Sequence, residues 1–250
     1  MQDLPDFGTY HHTTIEQSED IRKELQKAFR KAFTNIKEKG AVNNILDAGC
    51  GLGFLCAVSA NYFPNASVLG VDLFGSESLP MGSVELAKRN MEVEGIASKV
   101  RLLKFDLKTV NLNENEFDLI VSNLVFHNLG ESRFDAYKNI LKYLKPDGHF
   151  IFGDLFSGTK DKYFLIKLLK IEDEITGIKD MPNNYSILIK KNKRVIKINL
   201  LQNYSTEILK PQLNFSPELS LTRDIPLLKA SGGATIGSMA TDFPAANFPL

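Results

Sequence analysis

Three glycines at alternating positions follow a short apolar run and an acidic residue. The segment reads Ile45-Leu46-Asp47-Ala48-Gly49-Cys50-Gly51-Leu52-Gly53-Phe54. Glycine adopts backbone conformations that are closed to other residues, and its missing Cβ lets a ligand approach the main chain. Asp47 adds a carboxylate beside this turn, which favours a cationic ligand group over a pyrophosphate. The pattern therefore predicts a strand that turns tightly into a helix around a ligand.

This segment resembles the first motif of the class I S-adenosylmethionine-dependent methyltransferases. The competing interpretation is a dinucleotide-binding Rossmann unit, whose G-x-G-x-x-G pattern needs a third glycine. Read from Gly49, that glycine would fall on Phe54, and read from Gly51 it would fall on Cys56. A dinucleotide site also has no use for a carboxylate near its phosphates. The methyltransferase resemblance implies S-adenosylmethionine as the cofactor.

Length and charge limit the architecture and the partners of this chain. Its 250 residues, 43% of them apolar, suffice for one substantial α/β core and are too few for two full domains of usual size. Thirty basic and thirty acidic side chains give a formal charge of zero. No global field therefore draws the protein to nucleic acid or to an anionic membrane. We expect a small-molecule acceptor and no membrane, with nucleic-acid binding only through a local basic patch.

The cysteines and the first residues bear on the cellular compartment. Cys50 and Cys56 lie six positions apart across the turn and its following helix, which does not suggest a disulfide framework. Such thiols are typical of the reducing cytosol. The first twenty residues are polar and acidic, and no apolar segment approaches membrane-spanning length. These features predict a soluble cytoplasmic protein.

Apolar periodicity predicts alternating strands and helices after residue 40. We expect strands over 44–48, 67–72, 100–105, 117–123 and 149–155, and helices over 52–63, 83–94 and 131–144. Before them, Ser18 is expected to cap a helix that ends near Gly40. Its apolar face would comprise Ile21, Leu25, Phe29, Phe33 and Ile36. This order predicts a doubly wound α/β fold: a mostly parallel sheet, helices on both faces, and a ligand at the carboxyl ends of the strands.

A β-like pair of segments follows this alternation. Residues 185–189 and 195–200 are joined by the basic run Lys190-Lys191-Asn192-Lys193-Arg194, which predicts an antiparallel hairpin. Class I methyltransferases end their sheet with an antiparallel pair, so the resemblance implies a seven-stranded sheet that ends in this hairpin. We interpret the basic run as a charged hairpin tip, with phosphate contact as the alternative.

The predicted organisation has three parts. Residues 1–40 would form an N-terminal segment and helix that flank the site, and residues 41–200 the S-adenosylmethionine-binding domain. Residues 201–250 are rich in proline and contain the small-residue stretch Ser231-Gly232-Gly233-Ala234, so we expect an irregular extension there. A protein partner or a second copy of the chain could bind through this extension.

The resemblance also implies which residues contact the cofactor at the glycine turn. Asp47 would orient the methionine ammonium, directly or through water. The amides around Gly49 to Gly53 would accommodate the carboxylate of the methionine part near a helix N-terminus. The turn residues expected in contact with the cofactor are Ala48, Gly49, Cys50, Gly51 and Gly53.

Further contacts are expected where the next three strands end. Asp72 would accept hydrogen bonds from the ribose hydroxyls, and Leu73 would pack against adenine. In the resembling family, a residue in the place of Asp106 binds the adenine amino group, and the next amide, here that of Leu107, reaches a ring nitrogen. Asn123 would offer its backbone carbonyl to the ammonium. Asp72, Asp106 and Asn123 also have ordinary interpretations as strand-end, loop-capping or turn residues.

Fewer residues in the sequence indicate how the methyl acceptor would bind and react. His127 follows the fourth strand and is the candidate general base, with a loop histidine that packs and hydrogen-bonds as the alternative. Asp154 would line the acceptor pocket or cap the fifth strand. Tyr10, His11 and His12 would belong to a lid, because segments before the first helix fold over the cofactor in the resembling family. Two adjacent histidines are poor evidence for a metal, and we predict none.

Missing motifs narrow the acceptor. No Asn-Pro-Pro-Tyr-like run follows the fourth strand, which argues against the exocyclic amino-methyltransferases of nucleic acid. Neither cysteine follows a proline, which disfavours cytosine C5 chemistry, and the paired-glutamate loop of protein arginine methyltransferases is missing. We predict a methyltransferase that uses S-adenosylmethionine and acts on a small-molecule acceptor by in-line transfer. The alternatives are a non-catalytic cofactor-binding partner subunit and an RNA or protein methyltransferase.

Overall fold

Residues 3–75, 83–113 and 116–193 are described by the computed structural model. They belong to one unit that spans Met1–Arg194. The predicted strand 195–200 and the extension 201–250 lie outside the described residues. The elements are α1 Ile15–Phe33, β1 Asn44–Ala48, α2 Phe54–Tyr62, β2 Ser67–Asp72, α3 Val84–Val93, β3 Val100–Lys104, β4 Phe117–Asn123, α4 Arg133–Leu141, β5 Leu144–Leu155, α5 Thr159–Leu169, β6 Asp173–Ile175 and β7 Tyr185–Lys191.

The seven strands form one sheet in the order β3-β2-β1-β4-β5-β7-β6. Strands β1 to β5 run parallel, and β7 is antiparallel to both β5 and β6. From β1 the chain builds outward to β3 and then returns to place β4 on the other side of β1. The point where the order reverses lies between β1 and β4, which is where open α/β sheets bind ligands. The predicted doubly wound fold is confirmed.

The antiparallel end of the sheet differs in detail from the prediction. Strand β7 covers the predicted segment 185–189, but in the described part of the chain its sheet partners are β5 and the short β6. Lys190 and Lys191 were expected in a hairpin tip, yet they continue β7 and pair with Phe150 and His149. Backbone pairing to β5 therefore extends the strand through residues that their charge had assigned to a loop.

The core lies on both faces of the sheet because neighbouring residues in each strand point to opposite sides. From β1 and β4, Ile45 and Leu119 face the cluster that α1, α2 and α3 cover. Leu46 and Ile120 face the cluster that α4 and α5 cover. Strands that are buried on both faces read as continuous apolar runs, which is the pattern that predicted them.

The N-cap of helix α1 lies four residues before the predicted cap. Thr14 is the N-cap, and its side chain and that of Gln17 form a reciprocal capping box. Ser18 lies inside the helix, where its buried hydroxyl accepts from the Tyr10 amide at 3.0 Å and bonds Thr13 at 2.6 Å. The prediction that Ser18 caps the helix was wrong, since its oxygen fastens the preceding segment instead. The predicted apolar face is buried.

Removing the Thr14 hydroxyl should destabilise the fold measurably. We expect Thr14→Ala to lower the free energy of unfolding by about 1 kcal/mol, because the Gln17 amide loses its capping acceptor. Urea denaturation followed by circular dichroism measures this loss. Glu19→Ala, at an exposed position in the same helix, is the control and should stay near wild type. Equal losses in both variants would contradict the capping assignment.

The segment between β4 and β6 departs most from the predicted elements. A 3-10 helix over Phe126–Ser132 precedes α4, where one helix over 131–144 was expected. Residues 145–148, between this predicted helix and the predicted strand 149–155, lie within the bounds of β5, as an irregularity where the pairing with β4 shifts register. Asp147 there has a φ of 67°, in keeping with a turn residue. Helix α5 and strand β6 were not predicted.

Within the described ranges, no helix combines the length and the apolar character needed to cross a membrane.

Candidate active site

The candidate site lies at the edge of the sheet where the parallel strands end. Asp47, Asp72 and Asn123 stand at or next to the last residues of β1, β2 and β4. Asp154 is the residue before the end of β5. Because these four strands are parallel, their carboxyl ends meet at one edge, beside the point where the strand order reverses.

All three glycines of the turn adopt left-handed backbone conformations. The φ angles are +80° at Gly49, +51° at Gly51 and +92° at Gly53. A Cβ on Gly49 would lie 2.3 Å from Cγ2 of Val125, and one on Gly53 would lie 2.4 Å from Cε of Met91. Packing against the branched Val125 therefore requires glycine at position 49 independently of any ligand, whereas at position 53 the left-handed backbone favours glycine and the flexible end of Met91 can move.

The amides of the turn already have acceptors within the protein. Gly49 and Cys50 donate to the Val71 carbonyl, Gly51 to Asp72, and Gly53 to the Cys50 carbonyl, at 2.8–3.1 Å. This differs from the expectation that these amides receive the carboxylate of the methionine part. The first amides of α2, which begins at Phe54, have no acceptor one turn earlier in the helix and can take that role.

Asp72 ties the turn to the end of β2. Its Oδ2 accepts from the Gly51 amide at 2.9 Å, and its Oδ1 accepts from the Phe74 amide at 2.8 Å. A carboxylate has about four lone-pair positions, so both oxygens keep capacity for a pair of hydroxyls. Beside it, Leu73 is 52% exposed and Phe105, after β3, is 39% exposed. These apolar surfaces could pack against a flat base, and the contact of Leu73 with adenine stays a prediction.

Asp47 is buried and only half satisfied. Its Oδ2 accepts from Sγ of Cys56 at 3.2 Å, while its Oδ1 has no hydrogen-bond partner within the described part of the chain. Burial raises the pKa of Asp47 to about 7, and the charge of Asp72 adds to the rise, against the hydrogen bond from Cys56. An ammonium group would stabilise this carboxylate, so the site fits the cationic end of S-adenosylmethionine.

Asp106 and Leu107 lie in the loop after β3, where they were expected. Asp106 accepts from the Lys108 amide at 2.9 Å, so it caps its own loop. The Asp106 side chain remains 30% exposed. Leu107 is buried in the second core cluster, the one that α4 and α5 cover. The structure shows the capping interpretation directly, and the adenine contacts of both residues stay a prediction.

Asn123 is held by a residue that the sequence did not single out. The Tyr185 hydroxyl donates to Oδ1 of Asn123 at 2.6 Å. Tyr185 can lie across β5 because Gly153 has no side chain: a Cβ there would fall 1.8 Å from the tyrosine oxygen. Burial raises the pKa of Tyr185 well above its usual value, and the proximity of Tyr10 and Asp154 contributes. Tyr185 is buried in the core cluster that α1, α2 and α3 cover, and Tyr10 packs against the same cluster.

His127 and Asp154 form a close pair at this edge. Nδ1 of His127 lies 2.5 Å from Oδ1 of Asp154, and the His127 amide donates to Oδ2 at 3.1 Å. Asp154 is 2% exposed, whereas the imidazole is 27% exposed. A buried carboxylate at Nδ1 favours the tautomer with the proton there, which leaves Nε2 as a base. The sequence predicted both residues at the site but not their contact.

The N-terminal segment is fastened beside the glycine turn. The side chain of Asn90 bonds the backbone of Asp6 in both directions and donates to the Leu52 carbonyl, at 2.7–2.9 Å. Phe7 packs edge-on against Phe54, with ring centroids 5.9 Å apart. Along the segment Tyr10 is packed against the core, whereas His11 and His12 are exposed. The proposed lid role of this segment stays a prediction, and Tyr10 is its inward-facing member.

Known proteins share both the sequence pattern and the fold. Residues 46–152 match a family model described as a methyltransferase domain. The chain is 29% identical to the malonyl-[acyl-carrier protein] O-methyltransferase of Priestia megaterium over 60% of its own length and 50% of the relative. It is 26% identical to protein arginine N-methyltransferase 1 of Saccharomyces cerevisiae over 83% of its length and 59% of the relative.

The fold has a solved counterpart. An O-methyltransferase family protein from Burkholderia thailandensis superposes with a TM-score of 0.54 at 12% identity, over 68% of this chain and 56% of that one. The chain thus spans between half and three fifths of the two relatives named above. The family match runs from β1 into β5 and includes the turn, Asp72 and His127. The chain therefore contains a class I, Rossmann-like methyltransferase domain, of the family that uses S-adenosylmethionine.

Proposed function

We propose that this protein transfers a methyl group from S-adenosylmethionine to a small acceptor whose proton is removed by His127. The observation that carries the proposal is the 2.5 Å pair of His127 and Asp154 at the same sheet edge as the glycine turn. S-adenosylmethionine supplies an activated methyl group, so the protein has mainly to align the acceptor and exclude water. The proposal requires that the acceptor reach Nε2 of His127.

The residues around the turn would hold the cofactor. Asp47 would face the ammonium, because its Oδ1 is buried and otherwise unsatisfied among the described residues. Asp72 would accept from the ribose hydroxyls, and the exposed faces of Leu73 and Phe105 would contact the base. Val125 packs on Gly49 and belongs to the same loop as His127, so the cofactor turn and the base are neighbours.

His127 would act on an acceptor that must lose a proton, such as a hydroxyl or an ammonium group. Asp154 would hold the ring in place through Nδ1 and stabilise the imidazolium that forms, as a buried carboxylate does in other histidine-based sites. Asn123, which the buried Tyr185 holds in place, and Tyr10 would limit the size of the acceptor. These features favour a small acceptor group.

The acceptors of the named relatives include malonyl-acyl-carrier protein and protein arginine. Arginine is disfavoured here, because a guanidinium needs carboxylate partners. Residues 123–130 contain no acidic side chain, and Asp154 is engaged by His127. RNA is disfavoured as well: burial lowers the pKa of Lys190, and Lys193 pairs with Glu172 at 3.1 Å.

Calorimetric titration tests the cofactor part of the proposal. We expect saturable binding of S-adenosylmethionine and of S-adenosylhomocysteine, and no binding of NAD, which is the control. Transfer of radiolabelled methyl to a panel of hydroxyl, amine, thiol and carboxyl acceptors then tests catalysis. Binding of NAD alone would overturn the proposal. Cofactor binding without transfer to any acceptor class would favour the non-catalytic subunit.

Loss of the Asp72 carboxylate should weaken cofactor binding. We expect Asp72→Ala to cost about 1 to 3 kcal/mol, roughly a 5- to 150-fold rise in the dissociation constant, through lost charge-assisted hydrogen bonds. Calorimetry with S-adenosylhomocysteine measures the effect. Asp135→Ala, whose side chain is 79% exposed on α4, is the matched control. Unchanged affinity in Asp72→Ala would refute the ribose assignment.

Cofactor binding should release protons near neutral pH. In the free folded protein the pKa of Asp47 is about 7, whereas the usual value is 3.8. The contribution of this group to folding stability is therefore complete below about pH 3.8 and is lost as the pH rises to about 7. A nearby ammonium favours the ionised form and lowers this pKa. We therefore expect proton release on binding between about pH 6 and 7.5, and affinity that rises with pH across this window.

Calorimetry in two buffers of different ionisation enthalpy measures the number of protons released. Asp47→Asn, which cannot ionise, is the control and should abolish the buffer dependence. Proton uptake, or equal heats in both buffers for the wild type, would contradict the pairing of Asp47 with the ammonium.

A further inference from the structure

One helix presents an apolar and basic face to solvent. On α5, Tyr163 is 57% exposed, Phe164 54% and Leu168 45%. Lys160 and Lys167 are exposed too, and the five positions follow the i, i+3, i+4, i+7, i+8 spacing of a single helical face. We call these five residues the α5 face. Exposed aromatic and aliphatic side chains gathered on one helix are typical of an interaction surface.

The charged side chains of the α5 face are both positive. Asp161 is the only acidic residue within this described helix, and it is occupied by an ion pair with Arg133 and by hydrogen bonds from Ser157. Lys167 lies with Nζ 4.6 Å from the centre of the Tyr163 ring. Lys170 follows at the C-cap and is exposed. A partner must therefore offer negative charge together with apolar side chains.

The position of α5 connects this face to the acceptor side of the site. Arg133, which pairs with Asp161, and Phe134, whose ring packs edge-on against Phe164 at 5.7 Å, form the first turn of α4. The 3-10 helix that carries His127 leads directly into that turn. A protein bound to the α5 face would thus lie next to the segment that carries His127.

The helix is held rigidly on its inner side. Leu165 and Leu169 are buried in the second core cluster. Nζ of Lys162 bonds both Glu174 and Ser186, which anchors the helix to β6 and β7. A helix anchored in this way presents its exposed side chains in a fixed arrangement, which lowers the cost of binding a protein partner.

We propose that the α5 face docks the acidic, helical surface of a small carrier protein that presents the methyl acceptor to His127. The inference rests on the proposed function and names the form in which its acceptor arrives. A few aromatic anchors flanked by lysines make a small interface, so the complex is transient and depends on salt. The acceptor itself remains a small group, tethered to the carrier.

Binding of purified acyl carrier protein, an acidic helical carrier, tests the proposal by fluorescence anisotropy. We expect saturable binding at low salt that weakens at high salt. Both Lys160→Glu/Lys167→Glu and Phe164→Ser should weaken it by about tenfold or more. The control Lys37→Glu/Lys88→Glu makes the same charge change at exposed lysines of other parts of the surface and should bind like the wild type.

Three results would overturn the docking proposal. These are no binding of the carrier at low salt, binding that the α5 variants leave unchanged, and α5-dependent binding of phosphatidylglycerol vesicles in place of the carrier. Circular dichroism melts verify that each variant is folded. Titration of the same proteins with S-adenosylhomocysteine distinguishes a failure of the proposed function from a failure of docking. If the wild type does not bind S-adenosylhomocysteine, the proposed function is refuted, and the measured binding of the carrier is unaffected.

Discussion

Replacement of His127 by asparagine is expected to lower turnover by about 10²- to 10⁴-fold, the usual contribution of a positioned general base. Asparagine can keep a hydrogen bond to Asp154 but cannot accept a proton at neutral pH. The dissociation constant for S-adenosylmethionine should stay close to that of the wild type, because the cofactor residues lie at the ends of β1 and β2. Steady-state methyl transfer and calorimetry measure the two quantities separately.

Asp154→Asn tests whether Asp154 assists His127 during the reaction or only holds the loop in place. The substituted amide would keep the hydrogen bond to the His127 backbone but would no longer stabilise the imidazolium. The value of kcat should fall, while KM for the acceptor should change by a smaller factor. His149→Asn, a half-buried histidine in β5, is the control and should retain activity. Full turnover in His127→Asn would restrict that residue to a structural role.

Gly49→Ala should produce the largest loss of stability among single substitutions at the turn. An alanine at a φ of +80° costs about 1 to 2 kcal/mol, and its Cβ would overlap Val125 at a further cost of about 1 to 3 kcal/mol. We therefore expect the free energy of unfolding to drop by about 2 to 5 kcal/mol, with loss of cofactor binding because the turn must move. Urea denaturation measures the first effect and calorimetry the second.

Two further variants divide this loss into its parts. Gly40→Ala meets nothing within 4 Å and should be close to neutral. Val125→Ala in the Gly49→Ala background should restore the packing part but leave the backbone strain, which a double-mutant cycle resolves. An unchanged stability in Gly49→Ala, or no coupling between residues 49 and 125, would show that the turn relaxes freely.

The central strands could be read from the sequence because each is an apolar run that ends in a polar or glycine-rich loop. The predicted bounds of β1, β2 and β4 agree with the structure at every residue. Strand β6 is only three residues long, Asp173–Ile175, and acquires its strand character by pairing with β7. No local pattern marks such a segment. The N-cap of α1 was a different kind of miss, since Thr14 and Gln17 stand at the spacing of a capping box.

The contacts that organise the acceptor side depend on sheet register. Asn123 pairs with Gly153 across β4 and β5, which brings His127 beside Asp154 although 27 positions separate them. Tyr185 reaches Asn123 because β7 runs antiparallel next to β5. A single sequence contains the residue types but not the register, so the site residues were predicted individually and their partnerships were not.

The hydrogen bonds of Asn90 have a practical consequence for work with this protein. One amide group joins the backbone of Asp6 to the Leu52 carbonyl inside the glycine turn, and Asn90 itself is 1% exposed. Trimming the first residues, or fusing a bulky tag there, would leave a buried amide without its partner right beside the cofactor turn. Affinities measured on shortened versions would then reflect the truncation as much as the native site.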